Sequence, residues 1–338
     1  MKAGFYDTGS DLSVRCRLCH HACLIREGER GRCGVRENRT GVLESRAYGR
    51  VMAAHVDPIE KKPLFHVMPG SLSFSIATVG CNFRCRFCQN ADIAQLPAAH
   101  PGPIPGTPMT PEAVVAAAVT AQCASISYTY TEPTVFFEFS RDTAKLARRQ
   151  GLKNIFVTNG YMSAEALDAI FPFLDAANVD LKAFDDDFYQ IQCGAHLAPV
   201  LETLRRMKAL GIWVEVTTLI IPGLNDDEAG LSRLAGFIAD DLETETPWHV
   251  SRFHPAGTLT DRPATPAETL LRAREIGIAA GLKYVYTGNI PGHGGEDTCC
   301  PACGRPVMIR RGFRILERHL ENGKCRACGS VIHGIRMQ

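Results

Sequence analysis

The chain has 338 residues, 45% of them hydrophobic and 22% charged, with 37 basic and 36 acidic side chains and a formal net charge of +1. That length suits one large domain with appendages or two ordinary ones, and the composition is that of a globular protein. The charge balance excludes a general electrostatic attraction to nucleic acid or to an anionic membrane surface.

The start, "MKAGFYDTGSDLSV", lacks the charged and apolar regions of a secretory signal, and no run approaches the roughly 18 apolar residues of a membrane helix. A cytoplasmic location is the expectation. Residues 1–65 are rich in charge and read as an irregular segment pinned by metal. The proline- and glycine-rich stretch 97–111 reads as a loop.

From about residue 72 strands and helices alternate. "SLSFSIATV" is a buried strand, followed by the helix "TPEAVVAAAVTAQ" with Thr110 as N-cap and Pro111 at its first position. Then come the strand "ASISYTY", the helix "EPTVFFEFSRDTAKLARRQG" stopped by Gly151, and the strand "KNIFVTNG". The pattern continues with "SAEALDAIFPFL" (helix), "NVDLKAF" (strand) and "PVLETLRRMKALG" (helix). It closes with the strands "IWVEVTTLIIPG", "PWHVSRFHP" and "KYVYTG", separated by "DDEAGLSRLAGFIADDL" and "TPAETLLRAREIGIAAG" as helices. Strict alternation argues a parallel α/β fold, and no glycine-rich dinucleotide fingerprint follows the first strand. About six repeats fit a full or partial (β/α)6 barrel of the TIM type, whose chemistry gathers at the C-terminal ends of strands. The expected division is 1–65, 66–296 for the barrel core and 297–338 for a small metal-bound module.

Fourteen cysteines in a reduced compartment read as metal or iron–sulfur ligands rather than disulfides. Eleven fall into three groups. Cys16, Cys19, Cys23 and Cys33 follow C-x2-C-x3-C-x9-C, which fits a tetrahedral zinc and a fully ligated second cluster alike. His20 and His21 lie between them as alternative ligands. Cys300–Cys303 and Cys325–Cys328 form two C-x2-C knuckles, a zinc-ribbon or rubredoxin-like signal, with Cys299 competing for the place of Cys300. Cys123 and Cys193 read as buried core thiols.

The third group is Cys81, Cys85 and Cys88, just past the first core strand, spaced C-x3-C-x2-C with Phe87 before the last cysteine. Three thiolates can hold three irons of a cubane and leave one open, or three positions of a zinc with a distant fourth ligand. The aromatic and the placement make this loop resemble that of the radical S-adenosylmethionine (SAM) superfamily. The resemblance is greatest to the pyruvate formate-lyase-activating-enzyme-like branch, and within it to the radical SAM member of the AmmeMemoRadiSam system. The segments that carry it include "CRLCHHACLIREGERGRCGVR", "DPIEKKPLFHVMPGS", "SYTYTEPTVFFE", "VTNGY", "VDLKAF", "VEVTTLIIPGLND", "SRFHPAG" and "TGNIPGHGGEDT".

The resemblance implies a [4Fe-4S] cluster whose open iron takes the amino and carboxylate groups of SAM. Reduction by one electron then yields a 5'-deoxyadenosyl radical that removes hydrogen from substrate. It assigns the SAM amino group to Glu132, in Tyr130-Thr131-Glu132-Pro133 where the family has Gly-Gly-Glu-Pro, and the ribose to Thr158 and Asn159. It places the Asp180–Lys182 pair and His254 beside SAM, and Phe87 with the cofactor. Thr217 stands where activating enzymes carry an arginine. His293 and Glu296, in a glycine-rich loop, are open to a substrate or a hinge role. The implied partners are a flavodoxin- or ferredoxin-like electron donor, a protein substrate in some branches, and AMMECR1-like and Memo-like proteins; neither a membrane nor nucleic acid is expected. A glycyl-radical-enzyme activase is the alternative within the superfamily. A zinc-stabilised binding protein is the alternative outside enzymes.

Overall fold

The computed structural model describes residues 1–99, 102–290 and 294–338, with Ala98 and Ala99 described by backbone only. Its centre is one eight-stranded sheet with the strands in sequence order: β1 (Ala53–Pro58), β2 (Leu72–Ala77), β3 (Ser125–Tyr128), β4 (Lys153–Thr158), β5 (Ala176–Asp180), β6 (Trp213–Ile220), β7 (Trp248–Arg252) and β8 (Val285–Gly288). β1 pairs antiparallel with β2, and β2 to β8 run parallel. β3 is buried along its whole length, as a parallel strand covered on both faces must be.

Six helices make the crossovers: α1 (Pro111–Thr120), α2 (Phe137–Arg149), α3 (Ala164–Ile170), α4 (Leu197–Ala209), α5 (Glu228–Asp241) and α6 (Ala267–Ala279). Among these, α1, α3 and α5 start with a side-chain cap, and Thr110 of α1 is the one the sequence predicts. The Thr110 hydroxyl accepts from the Ala113 amide at 3.2 Å, and Ser163 and Asp227 do the same for α3 and α5. Each helix buries one stripe; on α4 it is Leu197, Val200, Leu204 and Met207. On α6, Gly277 lets the Trp248 ring lie where a β-carbon would stand 2.9 Å away.

A fully closed ring, one of the two expected forms, is absent among the described residues, because β8 and β1 are the sheet's edges. The physical reason is β1, which occupies the free edge of β2 that closure on β8 would use. The stretch 97–111 also departs slightly from a pure loop. A helical turn at Leu96–Ala99 enters it, and Thr107–Pro108 pairs with Arg50–Val51.

The N-terminal segment is short strands: a three-stranded sheet of Tyr6–Thr8, Val14–Cys16 and Leu24–Ile25, and a hairpin of Arg36–Arg39 with Val42–Ser45. Its apolar residues from Ala3 and Val14 to Val51 join the main core. The tail is also β: β9 (Thr298–Cys299), β10 (Pro306–Arg311), β11 (Arg314–Arg318), β12 (Leu320–Glu321) and β13 (Lys324–Cys325). No helix among the described residues is long and apolar enough to cross a membrane.

Candidate active site

Parallel strands place all their C-terminal ends on one edge of the sheet. Cys81, Glu132, Asn159, Lys182 and His254 each follow the end of a different strand by a few residues, and Thr158 and Asp180 are the last residues of β4 and β5.

Glu132 is the most constrained of these. It is buried, and its Oε1 accepts from the Thr134 amide at 3.0 Å, the Thr134 hydroxyl at 2.5 Å and the Thr158 hydroxyl at 2.8 Å. Its Oε2 accepts from the Asn159 amide at 2.8 Å and retains acceptor capacity. Burial still pushes its pKa up, against these four donors. A carboxylate fixed this way suits a cationic ammonium partner.

The preceding turn explains how two glycines can be absent. Tyr130 itself adopts the left-handed conformation, φ +62°. Its hydroxyl donates to Asp57, the Lys62 ammonium lies 4.4 Å from its ring centre, and its carbonyl accepts from Asn90 at 2.7 Å. Side-chain anchoring thus holds a backbone shape that glycine adopts freely.

The cysteine loop is tied to the same network. The Phe83 amide points at the Cys81 sulfur at 3.4 Å. The Asn159 amide group bonds the Asn82 Oδ1 at 2.7 Å and reaches the Cys81 sulfur at 3.8 Å. Lys182 pairs with Asp180 at 2.9 Å, and its ammonium lies 5.7 Å from the Phe87 ring centre. Burial opposes charge on Lys182, but Asp180 and the Cys85 and Cys193 thiols hold its pKa well above the usual value. The Cys193 thiol, hydrogen-bonded to Cys85, lowers the Cys85 pKa, with Lys182 acting in the same direction. Burial and the Glu132 charge push Cys81 up.

Two loops brace this arrangement. Thr258 and Leu259 donate backbone hydrogen bonds to the Arg86 carbonyl at 2.7 and 3.0 Å. Gly257, at φ +60°, sits where a β-carbon would lie 2.5 Å from that same carbonyl. Asn225, in "GLND", donates to the Lys182 carbonyl at 2.6 Å.

Some expected residues stand apart. His254 is exposed, and no hydrogen bond joins it to the site among the described residues. Thr217 bonds Asn178 within the sheet at 2.9 Å. Glu296 accepts from the Gly312 amide at 2.8 Å and so faces the tail, while His293 lies outside the described residues. Thr134, Asn82 and Cys193 are site residues that sequence reasoning passed over; Cys193 is buried as expected but adjoins Cys85.

The tail cysteines make a different kind of site. Cys300, Cys303, Cys325 and Cys328 have all four sulfurs within 4.8 Å of one another, with Cys300–Cys328 at 3.6 Å and Cys303–Cys325 at 3.8 Å. Tetrahedral zinc with bonds of about 2.3 Å puts its sulfurs about 3.8 Å apart. Cys300, not Cys299, belongs to the group. Among the described residues no other His, Cys, Asp or Glu group is this tight, so the sulfurs of Cys81, Cys85 and Cys88 are spread wider than the ligands of one ion. Three thiols on one loop, spread in this way, with Cys81 met by a backbone and a side-chain amide donor, fit a cluster better than an ion.

A family model described as the Radical SAM superfamily matches residues 75–235, the stretch that holds this loop and β2 to α5. The chain is 50% identical over 333 residues to an uncharacterized protein of Methanocaldococcus jannaschii, covering 98% of each. It belongs to the radical SAM superfamily. It is 31% identical over 151 residues to the isethionate sulfite-lyase activating enzyme of Nitratidesulfovibrio vulgaris, covering 43% of this chain and 48% of that one. It is 24% identical over 169 residues to the pyruvate formate-lyase 1-activating enzyme of Escherichia coli, covering 48% and 66%. The chain therefore spans about half to two thirds of these two activating enzymes. Among solved structures, a radical SAM methyltransferase from Sphaerobacter thermophilus has a TM-score of 0.52 at 19% identity, covering 70% of this chain and 71% of that one.

Proposed function

We propose that this chain is a radical SAM enzyme of the AmmeMemoRadiSam type, acting on a protein or small-molecule substrate. The observation that carries the reading is the shared network of Glu132, Thr158, Asn159 and Cys81 at the C-terminal strand edge. Cys81, Cys85 and Cys88 would hold a [4Fe-4S] cluster, with Phe87 packed at its rim. When bound and reduced by one electron, it supplies reductive cleavage of SAM to a 5'-deoxyadenosyl radical.

The chain's own residues do the positioning. Glu132 receives the SAM ammonium on its less occupied oxygen, Thr158 and Asn159 line the ribose, and the Asp180–Lys182 pair supplies charge beside Phe87. His254 is assigned to the SAM carboxylate side by position after β7, its exposed ring being available to a ligand. A flavodoxin- or ferredoxin-like protein is the implied donor, and AMMECR1-like and Memo-like proteins are the implied associates. The tail is read as a zinc ribbon.

The glycyl-radical-activase alternative is less well supported. The Tyr130–Thr131 turn and Thr217 depart from the activase pattern, and the activase relatives match less than half of this chain. The test is electron paramagnetic resonance of the reduced cluster, titrated anaerobically with SAM. The expected result is a change of g-values on SAM addition, weakened in Glu132→Gln. A spectrum unchanged by millimolar SAM in cluster-loaded protein would contradict the reading.

A further inference from the structure

Cys16, Cys19, Cys23 and Cys33 line one small pocket, together with His21, Arg36, Asn82 and Thr134. The four converge, yet no three of their sulfurs come within 4.8 Å of one another. The tail quartet of the same chain does collapse to zinc-like spacing, and the Cys81 loop does not. By geometry the N-terminal quartet belongs with the cluster loop.

A second observation comes from Arg36. It is 1% exposed, and its Nη2 donates to the Gly4 carbonyl at 2.7 Å and to Glu138 at 2.8 Å. Its Nε and Nη1 have no partner among the described residues, though it lines the pocket. Unpaired buried donors are costly, and an anionic group with sulfur acceptors in the pocket would satisfy them.

The pocket also shares a wall with the active site. His21 Nε2 lies 2.8 Å from the Asn82 carbonyl oxygen, and Asn82 precedes Phe83 and follows Cys81. The Asn82 side chain bonds Asn159, which reaches the Cys81 sulfur.

We infer that Cys16, Cys19, Cys23 and Cys33 bind a second [4Fe-4S] cluster rather than zinc. All four irons carry a thiolate, so this cluster has no open position for SAM. Resting on the proposed radical SAM reading, it serves as a one-electron relay. It accepts one electron from a low-potential one-electron carrier protein and passes that electron to the Cys81 loop cluster. No bond forms or breaks and no proton moves in the transfer.

The test uses the full chain with Cys81→Ala, Cys85→Ala and Cys88→Ala combined, prepared anaerobically with iron and sulfide. About four irons and four sulfides per chain are expected to remain, with an electron paramagnetic resonance signal on reduction that SAM does not alter. No iron in that variant, whether zinc or nothing takes its place, would overturn the inference. Because that variant could misfold, Cys16→Ser with Cys33→Ser is the complement. It should lose about half of the wild-type iron, keep its zinc and keep the SAM-dependent spectral change. Unchanged iron content, or loss of zinc instead, would overturn the inference. Failure of SAM to be cleaved by wild type would sink the function while leaving these metal counts untouched.

Discussion

Two cysteine quartets lie toward opposite ends of the sheet's strands, and they differ in how closely their sulfurs approach one another. The tail quartet is tight, with Cys300 and Cys325 buried and Cys303 and Cys328 exposed, and its module is anchored near the N-terminal ends of β6, β7 and β8. There Arg310 donates to the Phe65 carbonyl at 3.0 Å, His66 lies 2.6 Å from both the His333 carbonyl oxygen and the Tyr286 hydroxyl, and His249 meets Glu215 at 2.7 Å. The N-terminal quartet is spread around a pocket that abuts the Cys81 loop at the C-terminal edge. Both quartets contain a C-x2-C pair in sequence. Ligand spacing in three dimensions, and the strand end a quartet adjoins, distinguish two quartets that the sequence presents alike.

The comparison can be broken most strongly at the tail. Cys328→Ala should lose the bound ion and raise amide exchange across 297–338, on the scale of structural zinc, roughly 10 kcal/mol. SAM cleavage should stay within a few-fold of wild type. Loss of cleavage as complete as in a Cys85 variant would place the module at the catalytic edge.

Next in size is Glu132→Gln at the other edge. Removing a charge-assisted contact costs about 1.5–3 kcal/mol, so SAM affinity should fall about 10- to 100-fold. Iron content should be unchanged, checked by SAM titration beside iron analysis.

The smallest effect concerns His66, which joins the tail to the sheet. Burial lowers its pKa to about 4 from the ordinary 6.5. Above the ordinary value neither folded nor unfolded chain binds this proton. As pH falls from 6.5 towards 4 the unfolded chain binds it and the folded one does not, so stability drops. At pH 5 the loss is about 2 kcal/mol. Urea unfolding at pH 7 and pH 5 should show a shallower pH dependence in His66→Gln than in wild type.

Much of this was legible in the sequence. The strands and helices follow from periodicity, caps and glycine stops, as Thr110 and Gly151 show. The Cys81 loop and the tail knuckles are visible because their ligands are close in sequence. What stayed hidden depends on contacts between distant segments. Cys193 lies beside Cys85 because the bend at Gly194 brings the Gln192 and Cys193 carbonyls to the Arg86 and Arg84 amides. Asn82 looks like filler until Asn159 and His21 meet it. β1 could not be assigned to the main sheet from a segment so rich in charge, since edge strands carry weak hydrophobic patterning. The choice between zinc and cluster at Cys16, Cys19, Cys23 and Cys33 rests on separations that spacing along the chain does not encode.

The most direct test of the function is product formation. Cluster-loaded protein would be incubated anaerobically with SAM and dithionite, and 5'-deoxyadenosine quantified, with Cys85→Ala in parallel. Wild type should yield 5'-deoxyadenosine and the variant only background levels. Wild-type protein that holds the Cys81 loop cluster yet neither binds nor cleaves SAM would contradict the radical SAM reading.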